Sequence, residues 1–364
     1  MTWIATALAV VAGCEARQDL GVDRDSTTAD DGGTLAPGAL RASPFAIVQQ
    51  LPAGGSLNAI WGADRDHVFA VGSAHASYIY RTGIWQKRGG DQVGVDYFSV
   101  WGSSATNVFA VGKRSDGGGF VEHFDGNDWT VVHTTSAPLL GVWGTPDGVV
   151  LAVGARGALY YWSAKDPTHE WHAYSRLPSS SKDPDEPMLW GIAGRDMYDF
   201  GIAGGENRVF HANMAGSGFD SFDTLDDRLS FRAVSQSPGP STNLFFGTNF
   251  LGLIAFTGSA PTRGAPISED AGVYEMVQIA RDDEAPDAAK KFIQGIWSTP
   301  SVVVAVGDDG RIYRYEPGRS ELSRIPAPTD APLGGVWGSS ASDVWIVGDR
   351  ELILHGALPL TTVH

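Results

Sequence analysis

The chain has 364 residues, with 42 acidic side chains against 26 basic ones and a formal charge of −16, so the counterion release that drives nucleic-acid binding has no source in it. With 46 glycines, 12 tryptophans and only 19% charged residues, the composition describes a turn-rich, aromatic-packed chain and excludes disordered polymers and helical bundles. A single cysteine leaves no internal disulfide.

Residues 1–13, MTWIATALAVVAG, form an uncharged apolar run that ends at Cys14. As a helix, the stretch from Trp3 to Gly13 would reach about 17 Å against a hydrocarbon core of roughly 30 Å, which predicts a signal h-region and not a membrane span. Val11-Ala12-Gly13-Cys14 resembles the lipobox of bacterial lipoproteins. That resemblance implies a signal peptide over residues 1–13, a lipid on the sulfur of Cys14, and anchorage to a membrane of the bacterial envelope, outer membrane included. Residues 14–43 carry six acids, three arginines and almost no aromatic or β-branched content, and are expected to be a disordered tether.

From residue 44 onward one phrase recurs. Ile60-Trp61-Gly62 precedes VFAVG, Val100-Trp101-Gly102 precedes VFAVG, Val142-Trp143-Gly144 precedes VLAVG, Ile296-Trp297-Ser298 precedes VVAVG, and Val336-Trp337-Gly338 precedes VWIVG. Trp61 to Trp101 is 40 residues, Trp101 to Trp143 is 42 and Trp297 to Trp337 is 40, the period of a four-stranded blade. The 154 residues between Trp143 and Trp297 hold two weaker copies, GIAGRDMYDFGIAG over 191–204 and RAVSQSPGPSTNLFFG over 232–247, which brings the count to seven.

Within a copy, the first strand ends at Trp-Gly and the apolar VFAVG reads as a second strand buried on both faces. Alternating runs such as Arg311–Tyr315, Ala158–Trp162 and Phe120–Phe124 read as third strands, and Trp129 and Trp85 begin fourth, outer strands. The last copy, Val336-Trp337-Gly338 with VWIVG and ELILHG, supplies only three strands before His364. Residues 44–52, PFAIVQQLP, look like the outer strand WHAYSRLP of the third copy, and are expected to complete the last blade and close the ring. The predicted fold is therefore all-β, a single seven-bladed β-propeller over residues 44–364 with the N-terminal strand in the last blade.

The phrase VWGSSATNVFAVG, followed by a Gly-rich turn and an aromatic strand, resembles the tandem propeller repeats of bacterial lipoproteins, and more distantly BNR-type and photosystem-assembly-factor-like propellers. The resemblance covers residues 44–355 and implies the fold; it leaves the function open, because propellers carry enzymes, scaffolds and sensors alike.

The recurrence of Trp61, Trp101, Trp143, Trp297 and Trp337 at one repeat position marks them as structural packing between blades. Ser103-Ser104 and Ser339-Ser340, with Asn107 and Asp343, read as turn caps because no histidine stands at a matching place in the repeat. Asp125-Gly126-Asn127-Asp128-Trp129 looks like the end of a sialidase Asp-box, a structural turn. The nine histidines look scattered, with His169 and His172 on opposite faces of an outer strand. Neither these histidines nor the acidic groups Asp183–Glu186, Asp226-Asp227 and Asp282–Glu284 have metal-ligand order, and no metal or cofactor is expected.

Geometry supplies the remaining candidates. The loops that follow each AVG surround the central channel and contribute Lys113, Arg114, Asp116, Arg156, Glu206, Arg208, Asn249, Asp308, Asp309, Asp349 and Arg350. Long connections at 163–187, 213–230 and 257–292 exceed hairpin length; the last holds a strand-like VYEMVQIA and a short helix that would lie over the mouth. These features predict a monomeric, non-catalytic propeller that binds or scaffolds an envelope protein or glycan. The alternative is a carbohydrate-active hydrolase or lyase, which needs two converging carboxylates at the mouth.

Overall fold

The computed structural model describes residues 43–51, 54–89, 94–174, 188–197, 199–204, 208–213, 218–223, 230–238, 242–249, 252–258, 275–280, 291–317, 319 and 322–359. The expected signal peptide, Cys14, nearly all of the tether, Glu206, the three acidic groups and the short helix expected before Lys290 lie outside these residues.

The described strands form seven four-stranded antiparallel sheets, the blades of a seven-bladed β-propeller. Strand β1 (Phe45–Gln49) precedes blade 1, which is β2 (Leu57–Asp64), β3 (His67–Gly72), β4 (Ser77–Arg81) and β5 (Ile84–Gly89). Blade 2 is β6 (Asp96–Ser104), β7 (Asn107–Lys113), β8 (Gly119–Phe124) and β9 (Trp129–Thr135); blade 3 is β10 (Leu139–Gly144), β11 (Val149–Gly154), β12 (Leu159–Ser163) and β13 (His172–Ala173). Blade 4 is β14 (Leu189–Asp196), β15 (Asp199–Gly204), β16 (Arg208–Asn213) and β17 (Gly218–Asp223); blade 5 is β18 (Phe231–Gln236), β19 (Thr242–Thr248), β20 (Leu253–Gly258) and β21 (Glu275–Ala280). Blade 6 is β22 (Ile293–Ser298), β23 (Val303–Gly307), β24 (Arg311–Tyr315) and β25 (Leu322–Ile325). Blade 7 is β26 (Leu333–Ser340), β27 (Asp343–Gly348), β28 (Leu352–Gly356) and, as its outer strand, β1, which pairs antiparallel with β28 from Phe45↔Gly356. The closure predicted from PFAIVQQLP is present, and it ties both ends of the propeller into one sheet.

The second strands are buried along their whole length, as their near-continuous apolar runs require. Their side chains fill the wedges between blades. Phe69, Ile79, Tyr97, Val108, Phe120 and Phe124 form one such cluster between blades 1 and 2, and Val304, Ile312, Leu333, Val344 and Leu354 form another between blades 6 and 7. The glycine that ends each AVG is dictated by backbone proximity. A Cβ on Gly72 or Gly112 would lie 2.0 Å from the carbonyl oxygen of Ser56 or Asp96, which leads into the inner strand of the same blade.

The Trp-Gly pair has an equally local reason. Four of the five tryptophans lie across the glycine of the next blade: a Cβ on Gly62 would lie 2.5 Å from the Trp337 ring, one on Gly102 2.8 Å from Trp61, one on Gly144 2.5 Å from Trp101, and one on Gly338 3.0 Å from Trp297. These five tryptophans are half-buried, and all line the central channel.

Three expectations change. The connections at 213–230 and 257–292 each contain an outer strand, β17 and β21, and Glu275–Ala280 of VYEMVQIA belongs to blade 5 and not to a cover over the mouth, while β13 lies within 163–187 where WHAYSRLP reads as the outer strand of the third copy. Inner strands β2, β6 and β26 run two residues past Trp-Gly with a register shift, pairing Asp64↔His67, Ser104↔Asn107 and Ser340↔Asp343. His169 is in a left-handed turn (φ 53°), where its carbonyl accepts the Trp162 Nε1–H at 3.1 Å, while His172 alone lies on β13.

Candidate functional site

Every inner strand follows one pattern from the mouth inward. The first channel position carries Asn58, Phe98, Leu140, Trp190, Arg232, Gln294 and Gly334 in blades 1 to 7. The second is small in every blade (Ala59, Ser99, Gly141, Gly191, Ala233, Gly295, Gly335), because the strands converge there and a Cβ on Gly295 would meet the Cα of Gly335 at 2.8 Å. The third is β-branched, and the fourth is the repeated tryptophan except in blades 4 and 5, which have Ala193 and Ser235. The first position therefore carries the chemistry that varies from blade to blade.

These first residues, together with Ser56, Asp308 and Asp349, line a mouth cavity of about 320 Å³ that opens into a channel of about 380 Å³. The AVG loops reach this end because the residue after the glycine donates its N–H to the carbonyl ahead of the inner strand: Ser73 to Ser56 at 2.8 Å, Ala155 to Pro138 at 2.9 Å, and Asp349 to Pro332 at 3.0 Å. The mouth has two arcs. Phe98, Leu140 and Trp190 make an apolar arc from blades 2 to 4, and Arg232, Gln294, Asp308, Asp349 and Asn58 make a polar arc from blades 5, 6, 7 and 1.

Arg232 joins the arcs. Its guanidinium lies 4.9 Å from the Trp190 ring centre and 3.9 Å from that of Phe292, two cation-π contacts that hold it at the border of the apolar arc. Burial pulls its pKa below the ordinary arginine value, opposed by the charge of Asp308. Asp308 accepts the Phe292 N–H at 2.9 Å and a Gln294 Nε2–H at 3.2 Å, and Asp349 accepts from the Ser56 hydroxyl.

Of the described AVG-loop residues singled out in the sequence, only Asp308 and Asp349 line this cavity. Lys113 pairs with Asp96 at 3.2 Å, Arg114 with Asp116 at 2.8 Å on an exposed hairpin, and Asp309 with Lys291. Asn249 is buried, and its side chain accepts the Ser230 N–H at 3.0 Å. Arg156, Asp309 and Arg350 occupy the first of two left-handed positions in their turns (φ 59°, 58° and 62°), so backbone geometry sets their place. Arg208 lies at the start of β16 over Phe210, 6.0 Å from its ring centre.

The second left-handed position is glycine in blades 3 and 6 but His75 (φ 61°) in blade 1 and Glu351 (φ 49°) in blade 7. Both side chains latch the following blade. His75 stacks on Tyr97 and donates to or accepts from its hydroxyl at 2.8 Å, with Glu122 3.0 Å from the same Nε2; Glu351 accepts from Tyr78 and pairs with Lys87 at 3.3 Å. Burial, and then the charge of Glu122, push the Tyr97 phenol above its ordinary value and keep it protonated.

The expectation that no histidine matches the serine turns is overturned. His123, His211 and His355 recur on the third strands of blades 2, 4 and 7, and each Nε2 bonds the residue that opens the second strand: Asn107 at 2.7 Å, Asp199 at 2.9 Å and Asp343 at 2.7 Å. The turn serines join the same chains, Asn107 donating to Ser103 Oγ at 2.7 Å and Ser339 donating to Asp343. Because Asn107 or Asp343 stands between serine and histidine, the histidine cannot take the serine proton, and the arrangement is a cap and not a nucleophile. Varying second-to-third-strand loop lengths hid this recurrence in the sequence. Asp125 likewise caps its own turn, accepting the N–H groups of Asn127 and Asp128 at 2.8 and 3.0 Å. Among the described residues no three His, Cys, Asp or Glu side chains gather as a metal site.

Neither a protein-family model nor a curated protein matches the sequence. Solved structures do match in fold. A structure of YCF48 bound to D1 peptide is similar at a TM-score of 0.62 and 14% identity, over 88% of this chain and 99% of that one. The Cps50 (Swd1) β-propeller domain of Myceliophteria thermophila is similar at 0.64 and 12% identity, over 86% and 100%. A catalytically inactive virginiamycin B lyase from Staphylococcus aureus with quinupristin is similar at 0.62 and 12% identity, over 86% and 99%. At these identities the likeness is one of fold.

Proposed function

We propose that this chain is a binding propeller that seats a segment of a protein partner in its mouth, held at the bacterial envelope by a lipid on Cys14. The observation that carries the reading is the break in the repeat. Blades 4 and 5 give up the channel tryptophan, and the same two blades place Trp190 and Arg232 side by side at the mouth, next to Phe98 and Leu140. Large aromatic and arginine side chains in a concave, partly desolvated site are the composition of binding hot spots. The similarity to a propeller solved with a bound peptide supports the same reading. Residues 1–13 act as the signal peptide and residues 14–43 as the tether in this proposal, with residues 44–364 as the recognition body.

The hydrolase or lyase alternative rests on Asp308 and Asp349 at the mouth. Each spends acceptor capacity on an internal donor, which favours binding over acid-base chemistry. The test is isolation from envelope fractions of the intact chain, of Cys14→Ser, and of Leu140→Arg, which puts a bulky cation in the apolar arc. A diacylglycerol mass on the amino terminus that Cys14→Ser loses, with a stoichiometric partner that Leu140→Arg loses, is the expected result. An unmodified amino terminus overturns the anchor, and a partner that Leu140→Arg retains overturns the mouth.

A further inference from the structure

The mouth carries a cation whose binding edge is not used by the fold. Lys113, Arg114 and Lys291 each meet a carboxylate, whereas Arg232 has no carboxylate within 4 Å and no hydrogen bond among the described residues. Its guanidinium carbon lies over the Trp190 and Phe292 rings, contacts that use none of its N–H groups as hydrogen-bond donors to oxygen. Asp308, the nearest opposing charge, is held by Phe292 N–H and Gln294. A planar fork that packs against two rings and lines a cavity of about 320 Å³ matches a carboxylate in a bidentate pair.

We infer that Arg232 is a carboxylate clamp, and that the segment seated in the mouth carries one acidic side chain next to an apolar or aromatic one. This rests on the mouth-binding reading above. The charge on the ligand is limited to one by its surroundings: Asp308 and Asp349 share the cavity, and the chain carries −16, so a phosphate dianion or an acidic run meets repulsion that one carboxylate at Arg232 avoids. The apolar neighbour follows from the adjoining arc of Phe98, Leu140 and Trp190, which can bury a ring or a branched aliphatic side chain within one residue's reach of Arg232.

The smallest probe with both features is 3-phenylpropionate, and its neutral control is 3-phenylpropionamide. Ligand-observed NMR titration of the full chain is expected to show the carboxylate binding at least about tenfold more tightly than the amide. Arg232→Gln should bring the two within about twofold, and Arg232→Lys, which keeps the charge but loses the fork and the stack, should fall between. Unchanged melting temperatures of both variants establish that the fold is intact, and added salt should weaken the carboxylate alone. Equal binding of acid and amide, no loss in Arg232→Gln, displacement by inorganic phosphate at equal concentration, or no carboxylate binding at ~10 mM each overturns the clamp. Failure here is separable from failure of the mouth reading: a partner lost by Leu140→Arg but kept by Arg232→Gln leaves the mouth standing and removes the clamp, while a partner kept by both removes both.

Discussion

Blades 1, 2, 3, 6 and 7 keep the channel tryptophan, and blades 4 and 5 do not; setting the two groups side by side exposes a rule that crosses blade boundaries. Trp61, Trp101, Trp143, Trp297 and Trp337 are each followed, one blade on, by a glycine at the matching position (Gly102, Gly144, Gly194, Gly338 and Gly62), and at all but Gly194 the ring is among the atoms that a Cβ there would meet. Where blade 4 has Ala193, blade 5 has Gln236, and where blade 5 has Ser235, blade 6 has Ser298, which shares a hydrogen bond with it at 2.9 Å. The glycine exists to admit the neighbour's ring, so losing the ring releases the glycine. Blades 4 and 5 have also moved their bulk to the other end of the strand, as Trp190 and Arg232. Repeats of this kind are held by nearest-neighbour contacts, and function enters where those contacts are relaxed.

The sharpest way to break the regular pattern is at its backbone contacts. Gly112→Ala puts a Cβ 2.0 Å from the Asp96 carbonyl oxygen, and should cost about 3 kcal/mol or prevent folding, as judged by chemical denaturation. In blade 5 the same register position, opposite Phe231, is Thr248, buried and with a Cβ, so the demand for glycine there has already been relaxed and Thr248→Ala should cost less than about 1 kcal/mol. Next in size is Trp337→Ala, which empties the contact with Gly62 across the junction of blades 7 and 1 and should cost about 2 to 3 kcal/mol.

Acidification probes blade 2. Burial holds His123 and His133 below the ordinary histidine value, in His123 against the pull of Asp125. A depressed folded-state pKa means that the unfolded chain protonates first as pH falls. The stability these residues contribute is thus complete above the unfolded value of about 6.5 and is lost as pH falls towards the folded values. Melting temperature should drop as pH falls below about 6.5, and His133→Phe, which keeps the ring stacked on Trp171 at 5.7 Å, should flatten that drop.

How much of this could be read from the chain follows the strength of each residue's burial. Trp-Gly and VFAVG are legible because two-sided burial and backbone contact leave almost no freedom in those residues, and the strand that closes the ring is legible because a blade visibly lacks its fourth. Outer strand β17 was hidden in an apparent loop and the strand-like β21 was not assigned to a blade, since an edge strand packs on one side only and carries little hydrophobic pattern. The mouth residues were missed for a different reason. The AVG loops looked variable and charged, yet Lys113, Arg114 and Asp309 neutralise themselves locally, while Phe98, Leu140, Trp190 and Arg232 stand three residues before the repeated tryptophan position, inside strands that read as framework. Variation at a fixed register within a repeated strand was the signal.

The smallest expected effect is the one that tests the cross-blade rule most directly. Ala193 and Ser235 leave room at the end of the channel away from the mouth, where a cavity of about 500 Å³ is lined by Trp101, Trp143, Gly194, Arg195 and Gln236. Both amide atoms of Gln236 are buried without a hydrogen-bond partner, a cost that a glycine at this position does not carry. Ala193→Trp alone places an indole against Gln236 and should destabilise the fold. Adding Gln236→Gly removes both the obstruction and the unpaired amide; it gives back part of the gain through a glycine in a strand, and should leave the double variant about 1 kcal/mol more stable than the parent. The change of sign between single and double variants, measured by denaturation, is the outcome the rule requires; a single variant as stable as the double would mean that Gly102, Gly144, Gly338 and Gly62 answer to something other than their neighbours' rings. Because both substitutions lie at the far end of the channel, carboxylate binding at Arg232 should not change in either variant.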